Sequence, residues 1–139
     1  MIDRVLVPVD DSGMAERALR HALENYPDAE VTVLHVVGEP SPMFGEATGL
    51  ALADDIEQAA EEHAQDVLER AREVAAEHGV EVDTVVEMGH PARAIVDLAG
   101  EFDVVVIGSH GGSLADRLFI GDVARRVFRR SPVPVTVVR

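Results

Sequence analysis

Two hydrophobic periods take turns along this chain. Short β-branched runs that suit strands occupy Val5-Leu6-Val7-Pro8-Val9 with Ile2 ahead of it, residues 31–37, 81–88 and 104–107, and Val133-Pro134-Val135-Thr136-Val137-Val138. Between them, apolar residues recur at helical spacing. Positions 14/15, 18/19 and 22/23 mark a first helix, which Asp11 or Ser12 can cap and Tyr26-Pro27 closes. Ile56, Ala60, His63, Ala64, Val67, Leu68, Ala71, Val74 and Ala75 mark a long second helix with an acidic, solvated opposite face, ended by His78-Gly79. Pro91 opens a short third helix with Ile95, Val96 and Leu98 on its core side, and residues 123–130 form the last.

The strands differ in kind. Residues 31–37 are almost wholly apolar, as in a strand covered on both faces. Residues 81–88 alternate, as an exposed edge does, and Pro134 also marks an edge because it cannot donate to neighbours on both sides. Five strands alternating with four helical patterns predict an α/β fold: a single open parallel five-stranded sheet, order 3-2-1-4-5, with right-handed crossovers and helices on both faces. Winding then reverses between strands one and four, and ligands bind such sheets at the carboxyl ends of the strands flanking the reversal. Here those ends are Pro8-Val9-Asp10-Asp11 and Gly108-Ser109-His110-Gly111. Residues 38–53, rich in Pro and Gly, read as a lid, an interface loop or a disordered connection, and residues 114–120 as a short helical or irregular piece.

At 139 residues the chain is expected to form one domain, 1–139. No apolar run reaches the roughly 20 residues of a membrane span, and the start shows no secretory leader, so the expected location is the cytoplasm, with no membrane partner. The absence of cysteine removes disulfides and thiolate chemistry. Charge is more informative. There are 26 acidic residues against 12 basic ones, every basic residue is arginine, and the formal net charge is -14. Such self-repulsion belongs with life in high salt and disfavours a nucleic acid partner. The arginines near the C-terminus read as a solvated helix face with favourable charge at a helix end.

Candidate chemistry concentrates between residues 104 and 123. An apolar run ends in Gly108-Ser109-His110-Gly111-Gly112, and Gly121 stands before Asp122 and Val123. Glycines let backbone approach a ligand, and amides freed by such a turn beside a helix start form an anion cradle. Glycine turns after strands also arise for steric reasons alone, and both readings stay open on the residues themselves.

Taken together, Val7-Pro8-Val9-Asp10 with Ser12, Leu34-His35-Val36, Gly89-His90-Pro91 with Ile95, Gly108-Ser109-His110-Gly111 followed by Gly121, and Ser131-Pro132-Val133-Pro134-Val135 closely resemble the universal stress protein family over essentially the whole chain. The resemblance implies an adenine nucleotide alpha hydrolase-like fold and the nucleotide-binding branch marked by G-x2-G-x9-G-[S/T]. It implies ATP or AMP as ligand, with or without Mg or Mn. Gly108, Gly111 and Gly121 would shape the phosphate cradle with Ser109, His110, Gly112, Asp122 and Val123 around it. Asp10, beside Pro8 and Val9, would accept from the ribose or adenine side, and backbone at Val36 and Val37 would hold the adenine edge. It further implies a homodimer through the last strand, in agreement with the apolar edge at residues 133–138.

One position departs from that pattern. Asp122 stands where the motif has Ser or Thr, and a carboxylate cannot donate to a phosphate oxygen. Three roles follow for it: capping or joining the first turn of the last helix while pointing away from the site, abolishing nucleotide binding, or helping to hold a divalent cation bridged to phosphates. No catalytic set is evident. The six histidines are scattered, adjacent Ser109 and His110 make no nucleophile and base, and there is no lysine for a P-loop. His35 and His90 fall at strand ends near the expected crevice. Two function classes result: a stress-response module regulated by adenine nucleotide, or a dimeric interaction protein that keeps the fold without the ligand. Weak ATP hydrolysis ranks behind both.

Overall fold

The computed structural model describes residues 1–38, 46–109 and 121–139, with side chains described outside 46–56. Its elements follow in the order β1 (Arg4–Pro8), α1 (Gly13–Asn25), β2 (Glu30–Val37), α2 (Glu46–Glu77), β3 (Asp83–Met88), α3 (Pro91–Ala99), β4 (Val104–Gly108), α4 (Asp122–Arg130) and β5 (Val135–Val138). The strands form one parallel sheet in the order β3-β2-β1-β4-β5, with β3 and β5 at the edges as expected.

Strand periodicity divides the core into two layers. Val5, Val7, Val31, Val33, Val104 and Val106 face α1 and α2, where they meet Leu19, Leu23, Leu68 and Val74. Leu6, Leu34, Val105 and Ile107, one residue out of phase, face α3 and α4 and pack on Ile95, Ala99 and Val127. Each central strand is buried on both sides, which is why β1, β2 and β4 read as continuous apolar runs. Pro134 sits just outside β5; its carbonyl accepts from Val105 N–H at 3.0 Å, and it has no N–H to return.

The largest departure from expectation is α2. It begins at Glu46 and runs 32 residues, so residues 46–53 are helix where an irregular loop was expected. The stretch Glu46-Ala47-Thr48-Gly49-Leu50-Ala51-Leu52-Ala53 holds good helix formers around one glycine whose cost of about 1 kcal/mol they offset. Residues 39–45 and the piece at 114–120 lie outside the described residues. The helix ends as expected, with Gly79 at φ +70. Among the described residues, no helix is long and apolar enough to cross a membrane.

Candidate functional site

The site is built where β1 and β4 part. Beyond Pro8 the chain turns, and the turn is held by two short polar side chains. Asp10 Oδ1 accepts from the Ser12 backbone N–H at 2.8 Å, and the Ser12 hydroxyl accepts from Ala15 N–H at 3.2 Å as the N-cap of α1. Across from it, β4 runs so close to α1 that a Cβ on Gly108 would lie 3.0 Å from the Met14 carbonyl oxygen. Glycine is required there for packing, and its missing side chain also leaves the strand end open.

On the third side stands β2. Leu34 faces β1, its carbonyl accepting from Val9 N–H at 2.8 Å, whereas Val37 faces β3 and accepts from Gly89 N–H at 2.9 Å. Val36 shares the phase of Leu34, so its N–H and C=O point to the side from which β1 has already turned away. The Val9 carbonyl that continues the β1 ladder accepts instead from His35 Nδ1 at 3.0 Å. A carbonyl only accepts, so Nδ1 of this buried ring is the donor. The His63 ring from α2 meets it edge-on at 5.8 Å, and His63 Nε2 lies 3.9 Å from Asp11 Oδ2.

These walls enclose a crevice of about 400 Å³. Of the residues singled out in the sequence, Pro8, Val9, Asp10, Val36, Gly108, Gly121, Asp122 and Val123 line it together. Val37 is not among its described lining, its carbonyl being taken by Gly89. Ser109 is only 3% exposed, and its backbone is committed on both sides: its N–H donates to Val138 at 2.8 Å and its carbonyl accepts from Gly121 N–H. His110, Gly111 and Gly112 lie outside the described residues.

Two expectations are sharpened. Of the two helix roles open to Asp122, capping is excluded and the first-turn place holds: Gly121 is the N-cap, no side chain caps the helix, and Asp122 is the first helical residue, exposed and among the residues that line the crevice. A carboxylate there is favoured by the helix dipole without a capping bond. His90 is the N-cap of α3 and lines a separate groove with Arg93 and Asp97, while its neighbour Pro91 faces the crevice. Sequence reasoning left Ser12, Leu34, Pro91 and Ile95 off the crevice wall; the Leu34-His35-Val36 strand end and the Pro91 helix start were the available signals.

Among the described residues the lining is anionic and mostly aliphatic. Asp10 and Asp122 are the carboxylates of the described lining, and no group of three or more His, Asp or Glu able to hold a metal occurs among the described residues. Beside the crevice, Glu16 joins α1 to α2 by accepting from Arg20 at 2.9 Å and Arg70 at 2.9 Å; these hydrogen bonds, Arg20 first, hold its carboxyl below the usual range against some burial.

The profile of the universal stress proteins matches residues 1–139. The chain belongs to the universal stress protein family. Universal stress protein YxiE of Bacillus subtilis is 34% identical over 148 residues, covering 100% of both chains. Among solved structures, universal stress protein UspA from Lactobacillus plantarum superposes with a TM-score of 0.84 at 26% identity, covering 99% of this chain and 98% of that one. A universal stress protein in complex with cAMP matches with a TM-score of 0.71 at 27% identity, covering 99% of this chain and 97% of the other.

Proposed function

We propose that this universal stress protein is a stress-response regulator that binds an adenine nucleotide, ATP or AMP, in the β1/β4 crevice, occupancy altering its association with a protein partner. The observation that carries the reading is Val36. In phase with Leu34, whose carbonyl faces β1, its N–H and C=O are directed to the crevice side, the pair that adenine N1 and its exocyclic amine complement, beside aliphatic walls from Pro8 and Ile95. The cAMP complex of a 27% identical relative supports an adenine ligand. Asp10 keeps acceptor capacity for ribose hydroxyls after its bond to Ser12. With the Gly121 amide committed to Ser109, the N–H groups of Asp122, Val123 and Ala124 at the α4 start are those left to meet phosphate, together with the loop glycines. Magnesium or manganese would enter with the phosphates.

The same reading includes a cytoplasmic, salt-adapted protein, a homodimer joined along residues 133–138, and no nucleic acid partner, all in keeping with the net charge of -14 and the apolar β5 edge. Binding, not turnover, is the proposed activity. Calorimetry with ATP, AMP and magnesium in molar salt tests it: saturable heat and a raised thermal midpoint are expected. Neither signal with any nucleotide would leave the second reading, a dimeric interaction module without ligand, for which the Asp122 carboxylate in the crevice speaks.

A further inference from the structure

Among the described residues, the crevice carries negative charge at the helix start where phosphate charge would gather. Asp122 is exposed, opens α4 and lines the crevice; Asp10 lines the same crevice from the β1 turn. Neither Lys nor Arg occurs among the described lining residues. The α4 amides present a field of about half a positive charge, enough to favour one anionic group, and the Asp122 carboxylate already draws on that field.

We propose, resting on the adenine-nucleotide reading above, that the crevice ranks adenine ligands by charge. It takes a nucleoside or a singly charged nucleoside cyclic monophosphate in preference to AMP, and AMP in preference to metal-free ATP. The base and ribose contacts at Val36 and Asp10 are common to all of these ligands, so they do not discriminate. The first phosphate charge meets the helix amides. The further charges of AMP and ATP meet Asp122 at the same helix start, and for ATP the repulsion amounts in total to at least about tenfold in affinity. A hydroxyl at 122 would reverse the sign of that contact by donating a hydrogen bond. Molar salt, with a screening length of about 3 Å, shrinks the ranking without abolishing the shared contacts.

The test is a set of titrations of the full chain with adenosine, cyclic AMP, AMP and ATP in EDTA, repeated for Asp122→Asn and Asp122→Ser, with thermal unfolding of each variant as the fold control. Wild type is expected to bind adenosine and cyclic AMP at least about tenfold tighter than ATP, and Asp122→Asn to gain about tenfold for ATP while adenosine moves less than about twofold. In about 1 M salt the wild-type gap should narrow. ATP binding as tightly as adenosine in EDTA, or variants that change both ligands alike, would overturn the ranking while leaving the nucleotide reading intact. Magnesium raising ATP affinity in wild type but not in Asp122→Ser would also overturn it, making Asp122 a metal ligand. Binding of none of the four ligands would overturn the nucleotide reading itself.

Discussion

Gly108 at the end of β4 and Met14 in the first turn of α1 are in backbone contact: a Cβ added at Gly108 would stand 3.0 Å from the Met14 carbonyl oxygen, 3.1 Å from its carbonyl carbon and 3.1 Å from its Cβ. Two of those three atoms are main chain, so relief requires moving the start of α1, which carries Ser12 and the Asp10 turn with it. Gly108→Ala is therefore expected to cost about 1–3 kcal/mol and to weaken crevice binding as well. Gly100→Ala is the matched control, because its nearest neighbour is Pro132 Cγ at 4.0 Å and its backbone is ordinary right-handed helix. Denaturant unfolding of both variants checks this; equal stability would show that α1 yields without cost.

Gly108 also shows how far the sequence alone was legible. That a glycine there mattered was readable from the abrupt end of an apolar run, but the reason, a strand end pressed against a helix from another part of the chain, is a tertiary contact that no local pattern encodes. Strand order was legible because burial on both faces and proline placement each leave a residue signature. The start of α2 was not, since Gly49 and the prolines before it outweighed the alanines and leucines that extend the helix to Glu46. Asp122 was legible as a helix start, and the structure adds that this start borders the crevice. Val36 was named from family resemblance, and its physical reason appeared only with the register that turns Leu34 and Val36 toward β1 and Val37 toward β3.

Acid should act through Asp103. Its Oδ2 accepts from the N–H groups of Asp3 and Arg4, each at 2.9 Å, joining the entry of β1 to that of β4, and these two bonds, Asp3 first, hold its carboxyl below the ordinary range. A carboxyl lowered in the folded state stabilises the fold above its unfolded value, and the contribution fades as pH falls through the folded one. Asp103→Asn should thus be less stable than wild type near neutrality, with the two converging at acid pH. Chemical unfolding at a series of pH values measures the gap; a gap that stays constant into acid would rule out this linkage.

Salt should stabilise the protein overall. Screening lengths fall from about 10 Å at 0.1 M to about 3 Å at 1 M, which relieves repulsion among exposed carboxylates in a chain of net charge -14. It also weakens exposed pairs such as Arg20–Glu77 and Arg70–Glu73, at 2.9 and 3.1 Å, but such pairs contribute at most about 1 kcal/mol each. The thermal midpoint is expected to rise between these two salt concentrations, and a flat or falling midpoint would count against salt adaptation.

The β5 edge allows dimerisation to be separated from folding. Val105 N–H donates to the Pro134 carbonyl and Ser109 N–H to the Val138 carbonyl, so even-numbered positions of this strand face β4. Val135 and Val137 therefore turn their N–H and C=O groups outward, away from the sheet, where a second copy would pair. Val137→Pro deletes one outward donor and leaves the β4 ladder whole, a substitution an edge strand tolerates. Its side chain packs at the margin of the α3/α4 layer, so a loss of about 1 kcal/mol in stability is expected alongside. Sedimentation in high salt should give a dimer for wild type and a folded monomer for Val137→Pro. A variant that remains fully dimeric would place the seam elsewhere, and a monomeric wild type would remove the dimer from the proposed function altogether.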